Sequence, residues 1–419
     1  MSRLEELLQT LCPDGVEYKK LGQVCTFIKG KGLSKNAKWL GDIPIILYGE
    51  LYTTYGNYIT EVFSHTSEDL ISSSPIIHKG DLLLPVSSTT KEAQIGKASV
   101  YMVDKPAYLG SDAILLRHKQ NPSFLMYLLN GNLFEKSKMK CVFGTTINHL
   151  HPSKLSNIYI PVPPLLVQEE IVRILDTFTA LENELEAELA ARTKQYEHYR
   201  NESFDFDDDN SVSCVPLESV IISLKTGLNP RKNFELNTED AENYYVTVRE
   251  LAGKDIRIFD KTDKVNDEAL RLINNRSNLE VNDILFSGTG TVGRTAIVQQ
   301  PPSNWNIKEG VYVIKPDTNK INPIYLLYLL QSDVIKKKYE GKIVGSPVIS
   351  LPMYELRKLL IPIPSLEVQE QIVSYLDRFD TLVNDLKSGL PAEIALRRKQ
   401  YEYYRDKLLT FPQKPGGVS

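Results

Sequence analysis

The sequence predicts an α+β protein with two similar mixed α/β domains, separated by long helices that pair as an antiparallel coiled coil. Three observations support this fold class. The chain has 419 residues, which is too long for one compact core. Its second half repeats motifs of its first half in the same order. Each copy of the repeat also ends in a long segment with the apolar spacing of a helix.

The internal repeat is clearest where residues 155–172, LSNIYIPVPPLLVQEEIV, align with residues 356–373, LRKLLIPIPSLEVQEQIV. The offset between these segments, 201 residues (356 − 155), also places Asn121-Pro122 on Asn322-Pro323. So many matches in one order indicate a duplication. The sequence therefore predicts two copies of one fold, related by a pseudo-twofold axis.

The first part of each copy mixes short β-branched runs with Gly, Asn and Ser turns. The β-branched runs predict strands at residues 98–103, 244–251 and 311–315. Short helices that begin at a proline are predicted at residues 122–129 and 323–330. This pattern is typical of a mixed domain with an irregular sheet.

The second part of each copy is a long helix. Residues 165–201 contain neither Gly nor Pro, and apolar residues recur there at steps of three or four. This seam consists of Ile171, Leu175, Phe178, Leu181, Leu185 and Leu189. The counterpart that starts at Leu366 is interrupted by GLP at 389–391, which predicts a kinked or two-piece helix. Because one helix enters the second domain and the other leaves it, pairing would make them antiparallel.

These elements divide the chain into six expected segments. They are an N-terminal helix at 1–13, a first domain at 14–163, a central helical spacer at 164–203, a second domain at 204–364, a C-terminal helical region at 365–411 and a tail at 412–419.

The composition excludes several classes of protein. The chain has 49 Lys and Arg residues and 53 Asp and Glu residues, which gives a net charge of −4. This balance excludes a uniformly basic protein that coats nucleic acid. An anionic partner would therefore have to bind local clusters of basic residues. The four cysteines form no CxxC pair, which disfavours a disulfide framework or a zinc knuckle and favours a reducing cytoplasm. The opening MSRLEELLQTL does not fit a signal peptide, and no run of about 18 apolar residues predicts a membrane span.

Three patterns resemble catalytic or metal-binding motifs, but each lacks something that the chemistry needs. GTGTVG at 288–293 fits GxGxxG, yet residues 294–298 predict a strand where a helix would have to hold a pyrophosphate, which favours a hairpin or a DNA-facing loop. In PDGVEYK at 13–19 the acidic residues are too close together for a metal-dependent nuclease. The acidic run at 205–209 lacks the Gly and Glu of an EF-hand and is interpreted as a solvated linker.

Other signatures of catalysis also fail. His149 and His151 have no activated nucleophile nearby, and the Asn/Asp-Pro-Pro-aromatic tetrapeptide of a DNA amino-methyltransferase does not occur. The chain is therefore predicted to be non-catalytic and to hold neither a metal nor a cofactor.

Three small polar or basic loops occur in both copies and are the predicted DNA-binding surface. In the first copy, loop one contributes Lys29, Lys31, Lys35 and Lys38, loop two contributes Ser87, Ser88, Thr89, Thr90 and Lys91, and loop three contributes Thr145, Thr146 and Asn148. In the second copy, loop one contributes Lys225, Thr226, Asn229, Arg231 and Lys232, loop two contributes Ser287, Thr289, Thr291 and Arg294, and loop three contributes Lys342 and Ser346. Lys and Arg bind phosphates or guanine, while Asn, Ser and Thr reach base edges or backbone oxygens. Any one such loop could be ordinary solvated surface, but the recurrence of all three favours a binding surface.

Four segments resemble the DNA-specificity subunits of type I restriction-modification systems. They are SRLEELLQTLCPDGVEYKKLGQVC at 2–25, IILYGELYTTYG at 45–56, GTTINHLHPSKLSNIYIPVPPLLVQEEIV at 144–172 and FDTLVNDLKSGLPAEIALRRKQYEYYRDKLLTF at 379–411. The resemblance implies two target-recognition domains, each reading one half of a bipartite site in double-stranded DNA. It also implies helices that dock the modification subunits and set the spacer.

The resemblance places the chemistry on partner subunits. Two modification subunits would methylate adenine with S-adenosylmethionine, and two restriction subunits would act as a motor and nuclease with ATP and Mg²⁺. The assembled complex would thus be an adenine methyltransferase and an ATP-dependent endonuclease, whereas this chain would hold no cofactor of its own.

Two other interpretations are consistent with the residues. A self-contained nuclease or methyltransferase would act on DNA as the purified chain alone, with magnesium and S-adenosylmethionine. A scaffold that dimerises through its coils would not bind specific DNA even with modification subunits present.

Overall fold

A computed structural model describes residues 2–88, 94–206, 212–231 and 233–415. The chain forms two compact units, the first made of Met1–Leu185 with Ile394–Ser419 and the second of Glu186–Glu393. The predicted DNA-binding residues Thr89, Thr90, Lys91 and Lys232, and most of the acidic run at 205–209, lie outside the described residues.

The first unit is a mixed α/β structure. Its strands are β1 (Tyr18–Lys20), β2 (Cys25–Lys29), β3 (Ile43–Ile46), β4 (Tyr58–Ile59), β5 (Ser64–Thr66), β6 (Ile76–Ile77), β7 (Leu82–Pro85), β8 (Ser87–Ser88), β9 (Ser99–Tyr101), β10 (Ala107–Leu109), β11 (Ala113–His118), β12 (Val142–Phe143), β13 (Asn148–Leu150) and β14 (Tyr159–Pro161). Its helices are α1 (Arg3–Leu11), α2 (Leu21–Val24), α3 (Glu50–Thr53), α4 (Pro122–Leu129), α5 (Asn132–Met139) and α6 (Pro152–Leu155). The helix α7 (Leu165–Glu202) begins in this unit and ends in the second.

The second unit repeats this pattern. Its strands are β15 (Ser213–Pro216), β16 (Ile221–Thr226), β17 (Asn243–Val246), β18 (Leu251–Ala252), β19 (Asp255–Ile256), β20 (Lys264–Val265), β21 (Ile284–Ser287), β22 (Thr295–Ile297), β23 (Trp305–Ile307), β24 (Val311–Pro316) and β25 (Leu360–Ile363). Its helices are α8 (Asp267–Ser277), α9 (Pro323–Gln331), α10 (Asp333–Glu340), α11 (Met353–Arg357) and α12 (Leu366–Asn384). The last helix, α13 (Leu390–Leu408), belongs mainly to the first unit.

Each unit has a central sheet with corresponding strand order. In the first unit the order is β2-β11-β7-β9-β4, and in the second it is β16-β24-β21-β22. A second sheet, β5-β3-β10-β6 in the first unit and β20-β17-β23 in the second, lies against one face of the central sheet. A short antiparallel pair, β1 with β14 and β15 with β25, brings the two ends of each domain together.

Two central strands, β7 (LLLP) and the start of β21 (ILF), are apolar along their length because both of their faces are covered. In β7, Leu82 and Leu84 pack in a core with α4, whereas Leu83 packs against the second sheet. In β21, Ile284 and Leu285 divide between the two cores in the same way. A continuous apolar run is the pattern of a strand that is buried on both sides.

Most of the predicted elements are confirmed. The strands at 98–103 and 311–315 are β9 and β24, and the two short helices are α4 and α9, each capped by the asparagine that precedes its proline. RTAIV at 294–298 contains β22 (Thr295–Ile297), which pairs antiparallel with β21, so GTGTVG lies in the turn of a hairpin. The predicted α+β fold class is confirmed.

The strand predicted at 244–251 is wrong at residues 247–250, because Leu251 already belongs to β18 and β17 ends at Val246. A 3-10 turn follows, because the buried carboxylate of Glu250 accepts a hydrogen bond from the backbone N–H of Thr247 at 2.8 Å. In the first unit Glu50 accepts from Leu47 N–H at 2.9 Å in the same way. A carboxylate that satisfies the first free N–H of a turn ends the strand before it.

The long helices pair antiparallel within each unit. In the first unit, Phe178 of α7 stacks on Tyr404 of α13 at 5.5 Å between ring centroids, and Glu182 pairs with Arg398. The later residue of α7 thus contacts the earlier residue of α13, which shows that the two helices run in opposite directions. The predicted break is also confirmed, since α12 ends at Asn384 and α13 begins six residues later.

The same antiparallel arrangement occurs in the second unit, between the end of α7 and α12. Tyr196 donates to Asp380 at 3.3 Å, and the ring of Tyr199 meets Tyr375 with 5.7 Å between centroids. The seam is thus built from aromatic and polar contacts as well as from the apolar residues that predicted it.

A tyrosine–aspartate hydrogen bond joins the domain to its long helix in each unit. Tyr127 of α4 donates to Asp176 of α7, and Tyr328 of α9 donates to Asp377 of α12 at 2.6 Å. Burial is the first cause that raises the pKa of both phenols, so they remain protonated donors. The two bonds occupy equivalent positions of the repeat and hold each sheet on its helix.

The glutamine of the repeated VQE motif is fully buried in both units. In the second unit, Gln369 accepts from Asn322 N–H at 2.8 Å and donates to the carbonyl of Pro364 at 2.9 Å. Gln168 makes the corresponding bonds to Asn121 and Pro163 in the first unit. Each glutamine therefore satisfies backbone groups at the junction of a short helix and a long one.

We expect Gln369→Ala to lower the free energy of unfolding of the second unit by about 2–4 kcal/mol, because two buried backbone groups lose their partners. Urea unfolding of this unit can be followed by the fluorescence of Trp305, which packs on its core. The other tryptophan of the chain, Trp39, is replaced by phenylalanine in every variant so that only Trp305 reports. The control is Glu370→Ala at the exposed neighbouring position, expected within about 0.5 kcal/mol of the parent. Equal effects of the two changes would contradict the role given to Gln369.

Candidate DNA interface

In the first unit, loop one and loop two leave the central sheet at the same edge. β2 ends at Lys29, opposite Ile114 of β11, and β7 ends at Pro85, opposite Ala113. Both strands run antiparallel to β11, so their C-terminal ends meet beside its first residues. We call this place, at Lys29, Pro85 and Ala113, the loop edge of the first unit.

Loop three joins this edge through backbone pairing. In β13, Asn148 lies opposite Ser88 and His149 lies opposite Ser87, which makes β8, β13 and β12 a small sheet of three strands. Three loops that are far apart in sequence therefore lie together in the first unit.

The second unit has the same arrangement. Thr226 at the end of β16 and Ser287 at the end of β21 both lie beside the start of β24 at Val311, and these three residues define the loop edge of the second unit. Loop three is joined to loop two by a bridge between Thr289 and Ser350.

The basic side chains of the first loop edge differ in their surroundings. Lys29, Lys31 and Lys35 are exposed. Lys38 is half-buried, and its Nζ lies 2.7 Å from Oε1 of Glu50. Three of the four lysines therefore present their charge to solvent, while the fourth neutralises the buried carboxylate of Glu50. Thr145 and Thr146 at the turn of loop three are exposed, and Asn148 is half-buried.

At the loop edge of the second unit, Arg231, Thr291, Arg294 and Ser346 are exposed, whereas Lys225, Thr226, Asn229 and Thr289 are half-buried. Lys342 is also half-buried, with its Nζ 3.2 Å from Oε2 of Glu355.

The serines of loop two hold the loops in place. Ser87 is buried, and its Oγ lies 3.0 Å from both Oδ1 of Asp112 and Nδ1 of His149. Ser287 is fully buried and its Oγ accepts from the N–H of Arg294 at 2.8 Å. The Tyr312 hydroxyl donates to a loop-three carbonyl, Leu351 O, at 2.7 Å, and burial raises the pKa of Tyr312 so that it stays a donor.

Two carboxylates at the loop edges were not among the predicted residues. Asp112 and Glu309 lie in the turns that lead into β11 and β24, and both are exposed. A carboxylate can accept a hydrogen bond from the amino group of cytosine, although it repels phosphate. The sequence carried this signal, because Asp112 directly precedes β11 and Glu309 lies two residues before β24, but neither belongs to a basic run.

The described parts of the chain contain neither a metal-binding cluster nor a membrane-spanning helix. Within residues 2–88, 94–206, 212–231 and 233–415, no three His, Cys, Asp or Glu side chains are grouped so that they could hold a metal ion. In the same ranges, no helix has the length and apolar character to cross a membrane.

The family comparison covers both copies of the repeat. The family described as the type I restriction modification DNA specificity domain matches residues 13–194 and again residues 215–396. The chain belongs to this family. Each match contains one domain and the helix that follows it, so the repeated unit of the specificity subunit is a domain with its helix. As a specificity subunit, the chain supplies recognition of a DNA sequence and is not itself an enzyme.

Two relatives show the extent of the similarity. The specificity subunit is 34% identical to the type I restriction enzyme EcoR124I/EcoR124II specificity subunit of Escherichia coli, over 64% of this chain and 66% of that protein. It is 33% identical to a type I restriction enzyme specificity subunit of Haemophilus influenzae, over 70% of this chain and 74% of that protein.

A solved structure shares the fold of the specificity subunit. It is a chain from work on complex assembly and conformational transition of the type I restriction-modification system, with a TM-score of 0.61 and 19% identity. The similarity covers 95% of this chain and 98% of that one.

Proposed function

We propose that this chain reads a bipartite site in double-stranded DNA, and that the loop edge of each unit grips the major groove of one half-site. The observation that carries the proposal is the meeting of three polar or basic loops at one edge of the central sheet, in both units. Loops on a rigid sheet suit recognition, because the scaffold fixes their geometry while their side chains vary.

The side chains at the two loop edges fit a division between phosphate contacts and base contacts. Lys29, Lys31 and Lys35 in the first unit, and Arg231 and Arg294 in the second, are exposed cations for phosphates or guanine. The exposed threonines and Ser346, with the half-buried asparagines, are suited to base edges or backbone oxygens. Four candidates lie outside the described residues, namely Thr89, Thr90, Lys91 and Lys232. In the sequence they belong to the same loops, and the proposal includes them.

The helices have a second role in the proposal. The spacer at 164–203 and the helical region at 365–411 would dock two modification subunits and set the distance between half-sites read by the domains at 14–163 and 204–364. The modification subunits would use S-adenosylmethionine to methylate adenine. Two restriction subunits, with ATP and Mg²⁺, would complete the complex in the cytoplasm.

Replacing Lys29, Lys31 and Lys35 together by alanine should weaken binding by about 100-fold near 0.15 M salt, and to a similar degree for all sequences. Loss of three phosphate contacts should also reduce the slope of log affinity against log salt by about 2.7. The measurement is a salt titration of duplex DNA binding by the chain in complex with its modification subunits.

A matched control removes three exposed lysines from the opposite edge of the same sheet. Lys79 precedes β7, Lys105 follows β9 and Lys119 follows β11. These strand ends lie together, because Leu82 at the start of β7 pairs with Val100 of β9 and Leu116 of β11. This variant should keep the parent slope. An equal effect of both triple variants would remove the loop edge from the phosphate-binding surface, and a sequence-selective loss would make the loop-one lysines base readers.

A further inference from the structure

The hairpins of loop three begin with the same glycine conformation in the two units. Gly144 and Gly345, at equivalent positions of the repeat, have φ values of 114° and 101°. A Cβ added at Gly144 would lie 2.0 Å from the carbonyl oxygen of Ile147, and one at Gly345 would lie 2.4 Å from that of Val348. Only glycine fits this backbone conformation, so both hairpins require glycine at the equivalent position.

The tips of these hairpins, which we define as residues 143–147 and 344–349, expose apolar side chains. Phe143 is 46% and Ile147 43% exposed in the first tip, and Val344 is 54%, Val348 62% and Ile349 40% exposed in the second. Tight turns on a protein surface are usually polar. The backbone-defining glycine is the same in both tips, whereas the apolar side chains differ in size.

Both tips are fixed to the loop edge of their unit. In the second unit, Gly290 of loop two donates its N–H to the carbonyl of Ile349 at 2.8 Å. In the first, Asn148 directly follows the tip and pairs with Ser88. The Phe143 ring also stacks on His151, with 3.8 Å between centroids, which covers one of its faces. Ile147 and Val348 are thus exposed apolar groups beside the loops proposed to bind DNA.

We propose that Ile147 and Val348 contact thymine methyl groups in the major groove, and that each tip specifies thymine at one position of its half-site. The inference rests on the proposed function. The loop edges offer cations for phosphates and polar groups for base edges, and the thymine 5-methyl is the group of the major groove that an aliphatic side chain recognises. Ile147 and Val348 occupy equivalent positions of the repeat, so each unit presents one exposed aliphatic side chain at the same place in its tip.

The first arm of the test identifies the bases. The chain, assembled with its modification subunits, selects duplexes from a random-sequence library, which are then sequenced. Ile147→Ala should relax a thymine preference in one half-site, and Val348→Ala should relax one in the other. The matched controls Ile76→Ala, at the same 43% exposure in β6, and Val281→Ala, just before β21, should leave both preferences intact.

The second arm removes the methyl group from the DNA. A selected duplex carries deoxyuridine in place of the specified thymine, so that only the 5-methyl is lost. The parent should bind the deoxyuridine duplex about 3- to 10-fold more weakly than the thymine duplex. Each alanine variant should bind the two duplexes equally when the replaced thymine is the one assigned to its own tip.

The outcomes separate the inference from the proposed function. If the parent enriches no bipartite sequence, the proposed function fails. If it enriches one but tolerates deoxyuridine at every thymine, or if the alanine variants keep the parent preferences, the methyl contact is wrong. A third result would also overturn the methyl contact. Both tip variants would bind DNA more weakly and bend it less, while deoxyuridine would have no effect on binding. That result would indicate that the side chains insert between base pairs.

Discussion

Exchange of residues 14–163 for the first domain of another specificity subunit is expected to replace one half of the recognised DNA site and leave the other half unchanged. Each loop edge is built on a central sheet with its own core, so we expect the loops of the second unit to keep their geometry when the first domain is replaced. Several mismatched base pairs, at about 1–3 kcal/mol each, should weaken binding to the parental site by more than about 1,000-fold.

The junctions of this exchange are compatible with a foreign domain. The graft carries both β1 and β14, which pair with each other. Gln168 remains in the recipient helix and reaches backbone atoms of residues 121 and 163, which any donor supplies. The measurement is a genome-wide map of methylated adenines in cells that carry the hybrid with its modification and restriction subunits.

The reciprocal exchange, at residues 204–364, serves as the control and should change the opposite half-site. Independent reading would be ruled out by hybrids in which both half-sites change at once. A map that stays identical to the parental one would assign specificity to the helices or to the partner subunits.

Insertion of one heptad in α7 and a matching heptad before α13 is expected to lengthen the preferred spacer by about three base pairs. Seven residues add about 10.5 Å of helix, and the DNA helix rises about 3.4 Å per base pair. Binding at the parental spacing should fall by about 100-fold or more, because the two half-sites can no longer be engaged together. The insertion points are between Leu185 and Glu186, where the two units divide, and in the break after Asn384.

Whole heptads are needed because they turn the helix by nearly two full rotations and keep the seam on one face. The control is an insertion of two residues at each point, which rotates the following residues by about 200° and should abolish assembly instead of changing the spacer. Binding of duplexes with spacers of graded length distinguishes these results. An unchanged preferred spacer in a folded heptad variant would show that the helices do not measure the distance.

Much of the fold is visible in the sequence because the signals are local or repeated. The unbroken apolar period from residue 165 predicts α7 within one residue of its end, and Gly389 with Pro391 predicts the break between α12 and α13. The strand predicted at 244–251 is interrupted after Val246, because a side chain three residues away, Glu250, competes for the backbone N–H of Thr247. Local propensity cannot weigh such a contact against continuation of the strand.

The roles of individual loop residues depend on partners that are distant in sequence. Lys38 looks like Lys29, Lys31 and Lys35 in the sequence, yet Glu50 binds it. Ser87 looks like a surface serine but is buried between Asp112 and His149. Charge and composition identify the loops, whereas burial decides which of their side chains remain exposed.

The sequence alone determined that the chain contains two copies of one domain, each followed by a long helix. Both features can be detected without a structure, because a duplication repeats motifs in the same order and a helix spaces its apolar residues three or four apart. Only the tertiary structure decided that the three loops of each copy meet at one edge, with shared glycine hairpins that expose apolar tips. The reason is strand register. Lys29, Pro85 and Ala113 become neighbours through antiparallel pairing of segments far apart in the chain, and such pairing is settled by packing of the whole core.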